Sequence, residues 1–230
     1  MPFVISPRIS LGTQGEWHEG SAYTKENLYT LTKEGLPPVN YDAHTLKPHS
    51  LSHIESPLHT QKAGRSIDKF FEQDLSHFFG KCIVLKFKNE NWIEHDNKLK
   101  QKIITRQDLV AKLKNYANRE KVLITVEGIP KNKFGFHDPN FILTLSLEAA
   151  EYLTSLDRFN LFGTSWKSSD YEPGSSKRPI HNEIFKKALI LEYVDLSMVP
   201  EGEYFINCFP LNLKGASESP VTAVLLSLIH

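Results

Sequence analysis

The chain has 230 residues, 40% of them hydrophobic and 23% charged, and its 27 Lys plus Arg balance its 27 Asp plus Glu, for a formal net charge of zero. That length buries a substantial core, as one large domain or two small ones, and the composition is that of an ordinary globular protein. With no net field and no basic run interleaved with aromatics, nucleic acid and an acidic membrane surface are excluded as expected partners.

The opening MPFVISPRIS has no charged start followed by a long apolar stretch, and no apolar run is long enough to span a bilayer. A cytoplasmic protein is expected. Residues 11–48 read as irregular, punctuated by Gly12, Gly15, Gly20, Gly35, Pro37, Pro38 and Pro48, with a short helix around TKENLYTLTKE. GKCIVLKFK (80–88) is a strand opened by a glycine. TRQDLVAKLKNYA (105–117) is a helix capped by Thr105, with Asp108 at its third position and Leu109, Leu113 and Tyr116 as its buried stripe. KVLITVEG (121–128) is a strand apolar enough to be buried on both faces.

SLEAAEYLTSL (146–156) is a helix capped by Ser146, and FNLFGTS (159–165) a strand leading into a loop. IHNEIFKK (180–187) is a helix, ALILEYV (188–194) a strand, EYFINCFPLNLKG (203–215) a long extended strand and SPVTAVLLSLI (219–229) a closing strand. Cys82 and Cys208 both sit in apolar strand-like runs and read as buried reduced thiols. Strands alternate with helices through the middle and dominate the end. The pattern predicts a mixed α/β fold, organised as a single domain over residues 1–230.

The segment HSLSHIESPLH (49–59) carries the densest chemistry, because four of the ten histidines, His44, His49, His53 and His59, fall within sixteen residues. Imidazole and carboxylate are the usual ligand set for Zn²⁺ and also suit Mn²⁺ or Fe²⁺. In an extended chain, residues 49, 53, 55 and 59 share one parity and one face. A helix would also pair 49 with 53 and 55 with 59, but Pro57 inside it would cost about 3 kcal/mol. Extended structure or loop is expected, and the residues alone leave a metal site and a solvated polar loop both open. His44 has the wrong parity and reads as a surface histidine. Glu192 ends the apolar run ALIL, where a buried carboxylate requires a metal or a basic partner. His18, His77, His95, His137 and His230 carry no pattern.

These motifs, taken in order, resemble a family. HSLSHIESPLH is similar to the H-x-G-T-H-x-D-x-P-x-H signature of the cyclase-like metal-dependent hydrolases, which include bacterial kynurenine formamidase and isatin hydrolase. LFGTSWKSSDY resembles the family's Gly-…-Ser-x-Asp loop. RPIHNEIFKKALILEYVDLSMVPEGEYFINCFPLNLKGASESPVTAV follows its C-terminal pattern: a histidine opening a helix, a glutamate ending the next strand, a Leu-x-x-Val-Pro turn, Pro-Leu-x-x-x-Gly and a Pro-Val pair.

The resemblance implies a swivelling β/β/α fold, a homodimer or larger homo-oligomer, and a divalent metal, Zn²⁺ foremost with Mn²⁺ as the alternative. It implies hydrolysis of a C–N bond in a small-molecule substrate, an aromatic or cyclic amide. His49, His53 and Glu55 would hold a first ion, Glu55 reaching towards a second. His181 would bind that second ion, Glu192 would bridge or support the pair, and His59 would be the general acid/base. Trp17 matches a substrate-lining aromatic, with a core position as the other reading. Asp170 and Ser168 are expected to fix their loop by hydrogen bonds. The sequence departs from the signature at Leu51 (for glycine), Ser52 (for threonine) and Glu55 (for aspartate), and at Ser165, where the family often has aspartate. Leu51 and Glu55 motivate a second hypothesis, a member that has lost catalysis and persists as a binding protein.

Overall fold

The structure is a computed structural model that describes residues 2–17, 19–32, 38–95, 98–171 and 177–228, so His18, Gly35, Pro37 and His230 lie outside the described residues. In chain order the first strands are β1 (Phe3–Val4), β2 (Tyr23–Tyr29), β3 (Tyr41–Leu46), β4 (His53–Glu55) and β5 (Phe79–Phe87). There follow β6 (Ile93–Glu94), β7 (Lys100–Ile104), β8 (Lys121–Val126), β9 (Phe141–Leu145) and β10 (Leu161–Thr164). The last are β11 (Leu189–Glu192), β12 (Gly202–Asn207), β13 (Glu218–Pro220) and β14 (Val224–Ser227). The helices are α1 (Ile67–Gln73), α2 (Arg106–Leu113), α3 (Leu147–Ser155) and α4 (Pro179–Ile184).

Nine strands form one mixed sheet in the order β1-β14-β12-β5-β8-β10-β11-β4-β13, accompanied by the β6-β7-β9 sheet and the β2-β3 hairpin. The pairs β5–β8, β8–β10 and β10–β11 are parallel, which the βα alternation anticipated, whereas β4 and β12 run antiparallel to their neighbours. The two-residue period of each strand divides the core between the sheet's faces. Ile83, Leu85, Val122, Ile124, Phe162 and Ile190 pack in one cluster with residues of α2, α3 and α4. The alternating Cys82, Val84, Leu123, Leu161, Leu189 and Leu191 pack in another with α1 residues. Every residue of β8 is buried, as its apolar run requires.

The expected helix caps are present: Thr105 and Asp108 form a capping box, and the Ser146 hydroxyl accepts from the Ala149 N–H. Both cysteines are free and buried, and burial pushes the Cys208 thiol up to about 12. Three expectations need correction. Of the expected helix TKENLYTLTKE, Lys33 and Glu34 lie outside the described residues and TKENLY belongs to β2, because it pairs with β3 across Lys25–Asp42 and Asn27–Asp42 contacts and a Tyr29–Tyr41 ring stack. The long strand at 203–215 ends at Asn207, with Pro210 making only an isolated bridge to Val221. The closing strand is two strands, β13 and β14, separated by Val221–Ala223. Among the described residues no helix is long and apolar enough to cross a membrane.

Candidate metal centre

Pro57 prevents HSLSHIESPLH from continuing as one helix, and the segment instead forms a strand between two tight turns. Pro48–Ser50 and Pro57–His59 are single 3-10 turns that each begin at a proline, flanking β4. Gly64 fixes the second turn, because a Cβ there would lie 2.3 Å from the Pro57 carbonyl carbon. His53 and Glu55 therefore project from the same face of β4. Antiparallel pairing places Glu192, the last residue of β11, opposite His53, so its carboxylate joins that face. On the other side of β4, Glu218 of β13 lies opposite Glu55.

His181 arrives from α4. The chain leaves the carboxyl end of β10 through a buried turn, Ser168–Ser169–Asp170, before α4 returns it to β11. Asp170 accepts from the Ile180 and His181 backbone N–H groups at 3.0 Å each and from His181 Nδ1 at 2.6 Å. It fixes its loop as expected, and it also orients His181. Ser169 donates to Glu192 Oε1 at 2.7 Å. The cluster thus lies beyond the carboxyl ends of the parallel strands β10 and β11, where open α/β sheets place their ligands.

Glu55 is the hub. His49 Nδ1, His53 Nε2 and His59 Nε2 lie 3.1, 3.2 and 3.4 Å from its Oε1, and His181 Nε2 lies 3.0 Å from its Oε2. Glu192 approaches His53 Nε2 at 3.8 Å and His181 Nε2 at 3.6 Å. All five residues expected as ligands therefore meet, although the chain separates the first three from the last two by more than a hundred residues. His53, Glu55, His181 and Glu192 are buried to within 1% of full exclusion from solvent.

Two buried carboxylates in this space demand positive charge. Burial opposes ionisation of Glu55, but His181, His49 and His53 outweigh it and hold the carboxyl well below the usual range. Burial and repulsion by Glu55 together push Glu192 up. Burial disfavours the His181 imidazolium, yet Glu55 and Asp170 raise it to about 10. His59 is pushed down, first by burial and then by its histidine neighbours His49 and His181.

The donor set suits a divalent ion. A tetrahedral ion with bonds of about 2.0–2.1 Å keeps its ligand atoms roughly 3.3 Å apart, and the nearest imidazole–carboxylate separations here run from 3.0 to 3.8 Å. Ligand atoms of His53, Glu55 and Glu192 lie within 4.8 Å of one another, as do those of His49, Glu55 and His59. Glu55 Oε2 is buried without a hydrogen-bond partner among the described residues; His181 Nε2 is near it but not aligned to bond it. The far nitrogens of two rings are also fixed, His53 Nδ1 on the Leu51 carbonyl at 2.8 Å and His181 Nδ1 on Asp170. Metal-bound histidines are normally held this way. His59 has no hydrogen bond from either ring nitrogen to the described residues, which separates it from the pinned histidines even though its Nε2 is near enough to ligate.

A pocket of about 90 Å³ opens onto the cluster, lined by Trp17, His59, Lys167, Arg178 and the cluster itself. Trp17 is 44% exposed and donates its indole N–H to the His49 carbonyl, so it lines the pocket instead of serving the core. Leu51 adopts ordinary extended backbone (φ −130, ψ 172) and is fully buried against Ala22, Phe136 and Tyr193, so this position does not need glycine's conformational freedom. Ser165 is buried and bonded to Thr125 and His137, away from the cluster. His44 is exposed and bonded to the Tyr23 hydroxyl. Sequence reasoning missed Glu218, Lys167 and Arg178 at the site, and no local pattern marked them.

Comparison with known proteins agrees with this architecture. Residues 9–171 match the Cyclase family, and the chain belongs to that family. Kynurenine formamidase of Delftia acidovorans is 30% identical over 197 residues, covering 83% of this chain and 82% of the relative. The kynurenine formamidase of Polaromonas naphthalenivorans is 28% identical over 210 residues, covering 90% and 83%. Among solved structures, isatin hydrolase A from Ralstonia solanacearum superposes with a TM-score of 0.69 over 98% of this chain and 92% of its own, at 18% identity. The mixed α/β fold is therefore the cyclase-family fold.

Proposed function

We propose that the protein is a metal-dependent amidohydrolase that cleaves the C–N bond of a small aromatic or cyclic amide, as one cyclase-type domain over residues 1–230. The relatives named kynurenine formamidase and isatin hydrolase support the reaction class. The observation that carries it here is the convergence of His49, His53, Glu55, His181 and Glu192 around a buried carboxylate oxygen that lacks a hydrogen-bond partner among the described residues. These five residues would hold the ion or ions, with Zn²⁺ ahead of Mn²⁺ for a set of imidazoles and carboxylates.

A divalent cation held by these residues would supply Lewis-acid activation of water and of the scissile carbonyl. The remaining work belongs to side chains. His59 faces Glu55 from a partly exposed turn, so it can take a proton from the attacking water and deliver it to the leaving nitrogen. Trp17, tethered through His49, offers an aromatic face to the substrate ring. Asp170 and Ser169 hold His181 and Glu192 in place while the carbonyl geometry changes.

The hypothesis of a catalytically lost binding protein rested on Leu51 and Glu55. The Leu51 side chain packs against Ala22, Phe136 and Tyr193 while its carbonyl holds His53, and Glu55 is the centre of the cluster, so neither residue supports that reading. The test is hydrolysis of formanilide by the purified protein, before and after dialysis against a chelator. The proposal expects turnover that disappears on chelation and returns with Zn²⁺ or Mn²⁺. Turnover indifferent to chelation would refute metal dependence, and no turnover of aryl formamides or cyclic aryl amides would refute the reaction class.

A further inference from the structure

The pocket wall carries a cation that the cluster does not use. Arg178 is half-buried on that wall, and it adopts φ 44, ψ 58, a left-handed conformation rare for a residue other than glycine. Pro179 follows directly, so the strained residue is locked at the entry to α4, where its carbonyl accepts from the Asn182 N–H. Backbone strain of this kind persists only where the surroundings enforce it, and it gathers at ligand clamps. The result places a guanidinium beside the metal cluster.

That guanidinium has five N–H donors. Among the described residues it makes one long contact, Nη1 to Ser168 Oγ at 3.5 Å, and meets no carboxylate. Lys167, the other cation on the wall, is already committed. It pairs with Glu16 at 3.2 Å and lies 4.4 Å above the Trp17 ring. Glu16 in turn accepts from the Tyr193 hydroxyl, which ties the Trp17–Lys167 unit to the core. The pocket therefore combines a fixed aromatic face, a cluster able to hold a cation and an unpaired arginine fork. A half-buried charge is costly without a partner, and the planar fork matches a carboxylate in two parallel hydrogen bonds.

We propose that Arg178 is the specificity residue of this pocket, binding a carboxylate on the substrate through its planar fork while the amide faces His59. The proposal rests on the amidohydrolase reading of the same site. It concerns recognition alone, so it does not alter the chemistry of C–N cleavage.

The experiment compares 2-formamidobenzoate with neutral formanilide, using the wild-type protein, Arg178→Gln and Arg178→Lys. Wild type should favour the carboxylate substrate about tenfold to hundredfold in kcat/KM, the range of a charged hydrogen-bonded contact, with the difference in KM. Arg178→Gln should bring that ratio close to one, and Arg178→Lys, which retains the charge without the fork, should recover part of it. An equal ratio in wild type and Arg178→Gln overturns the proposal.

If neither amide is hydrolysed, calorimetry with benzoate and benzamide decides the role of Arg178, and the amidohydrolase reading fails separately if cyclic aryl amides are not hydrolysed either. Benzoate binding weakened at least about tenfold by Arg178→Gln, with benzamide binding changed less, sustains anion recognition. Equal effects on both probes overturn it. Thermal unfolding of each variant establishes that the comparison is made on folded protein.

Discussion

The inner and outer walls of the site are built differently. The inner wall comprises His53, Glu55, His181 and Glu192, all fully buried, set at strand ends or on α4, and mostly held by a second contact on the far side. The outer wall comprises His49, His59, Trp17 and Arg178, which are partly exposed and carried on 3-10 turns and loops. His49 shows the contrast most clearly, because its Nε2 faces Glu218 at 3.7 Å on a partly exposed rim, while the buried His181 is gripped by Asp170 at 2.6 Å. A centre that holds an ion needs rigid donors, and one that receives a substrate and moves protons needs groups that can adjust. In the proposed function the buried donors together with His49 would hold the ion, while His59, Trp17 and Arg178 would receive the substrate and move protons.

The strongest break of this contrast is Glu55→Gln, which keeps the shape of the hub and removes its charge. Bound metal and all metal-dependent turnover should disappear together, measured as metal content and kcat on the same preparation. Retained metal with altered KM alone would show that Glu55 is not the hub.

His59→Ala should act on turnover and spare the metal, lowering kcat by about 10²–10⁴-fold, the usual contribution of a general acid/base. Parallel loss of metal would instead make His59 a ligand, a role its 3.4 Å approach to Glu55 Oε1 allows. A smaller effect is expected from the groups behind the ligands. Asp170→Asn should weaken metal affinity by about 10–100-fold, as substitution of a ligand's hydrogen-bonding partner commonly does. Glu218→Gln should stay below about tenfold, because its contact is longer and partly solvated. Competition with a chromophoric chelator reads both, and the reverse order would abolish the distinction between the walls.

The sequence displayed part of this division and hid the rest. The shared parity of residues 53 and 55 is local, so the common face of β4 could be read directly. The same holds for β8, whose apolar run needs no partner to be recognised, and for the Thr105 and Ser146 caps. His181 depended on the family resemblance, and Glu192 was marked only as a carboxylate in need of a partner after ALIL, since only β4–β11 pairing and the Asp170 turn bring them to the cluster. Glu218 and Arg178 carried no local signal. One is placed by β13–β4 register and the other by a left-handed residue before a proline. The β2–β3 hairpin was misread for a related reason, because TKENLYT has ordinary helix formers and its strand character comes from the partner twelve or more residues away.

The central claim is that five residues from two distant parts of the chain form one divalent-metal centre around Glu55. The most direct measurement is calorimetric titration of chelator-stripped protein with Zn²⁺ and with Mn²⁺, repeated on Glu55→Gln and His181→Ala. The account predicts saturable binding by the parent protein, no measurable binding after Glu55→Gln, and loss of affinity or of a bound equivalent after His181→Ala. Binding that is absent in the parent, or unchanged in both variants, would contradict it.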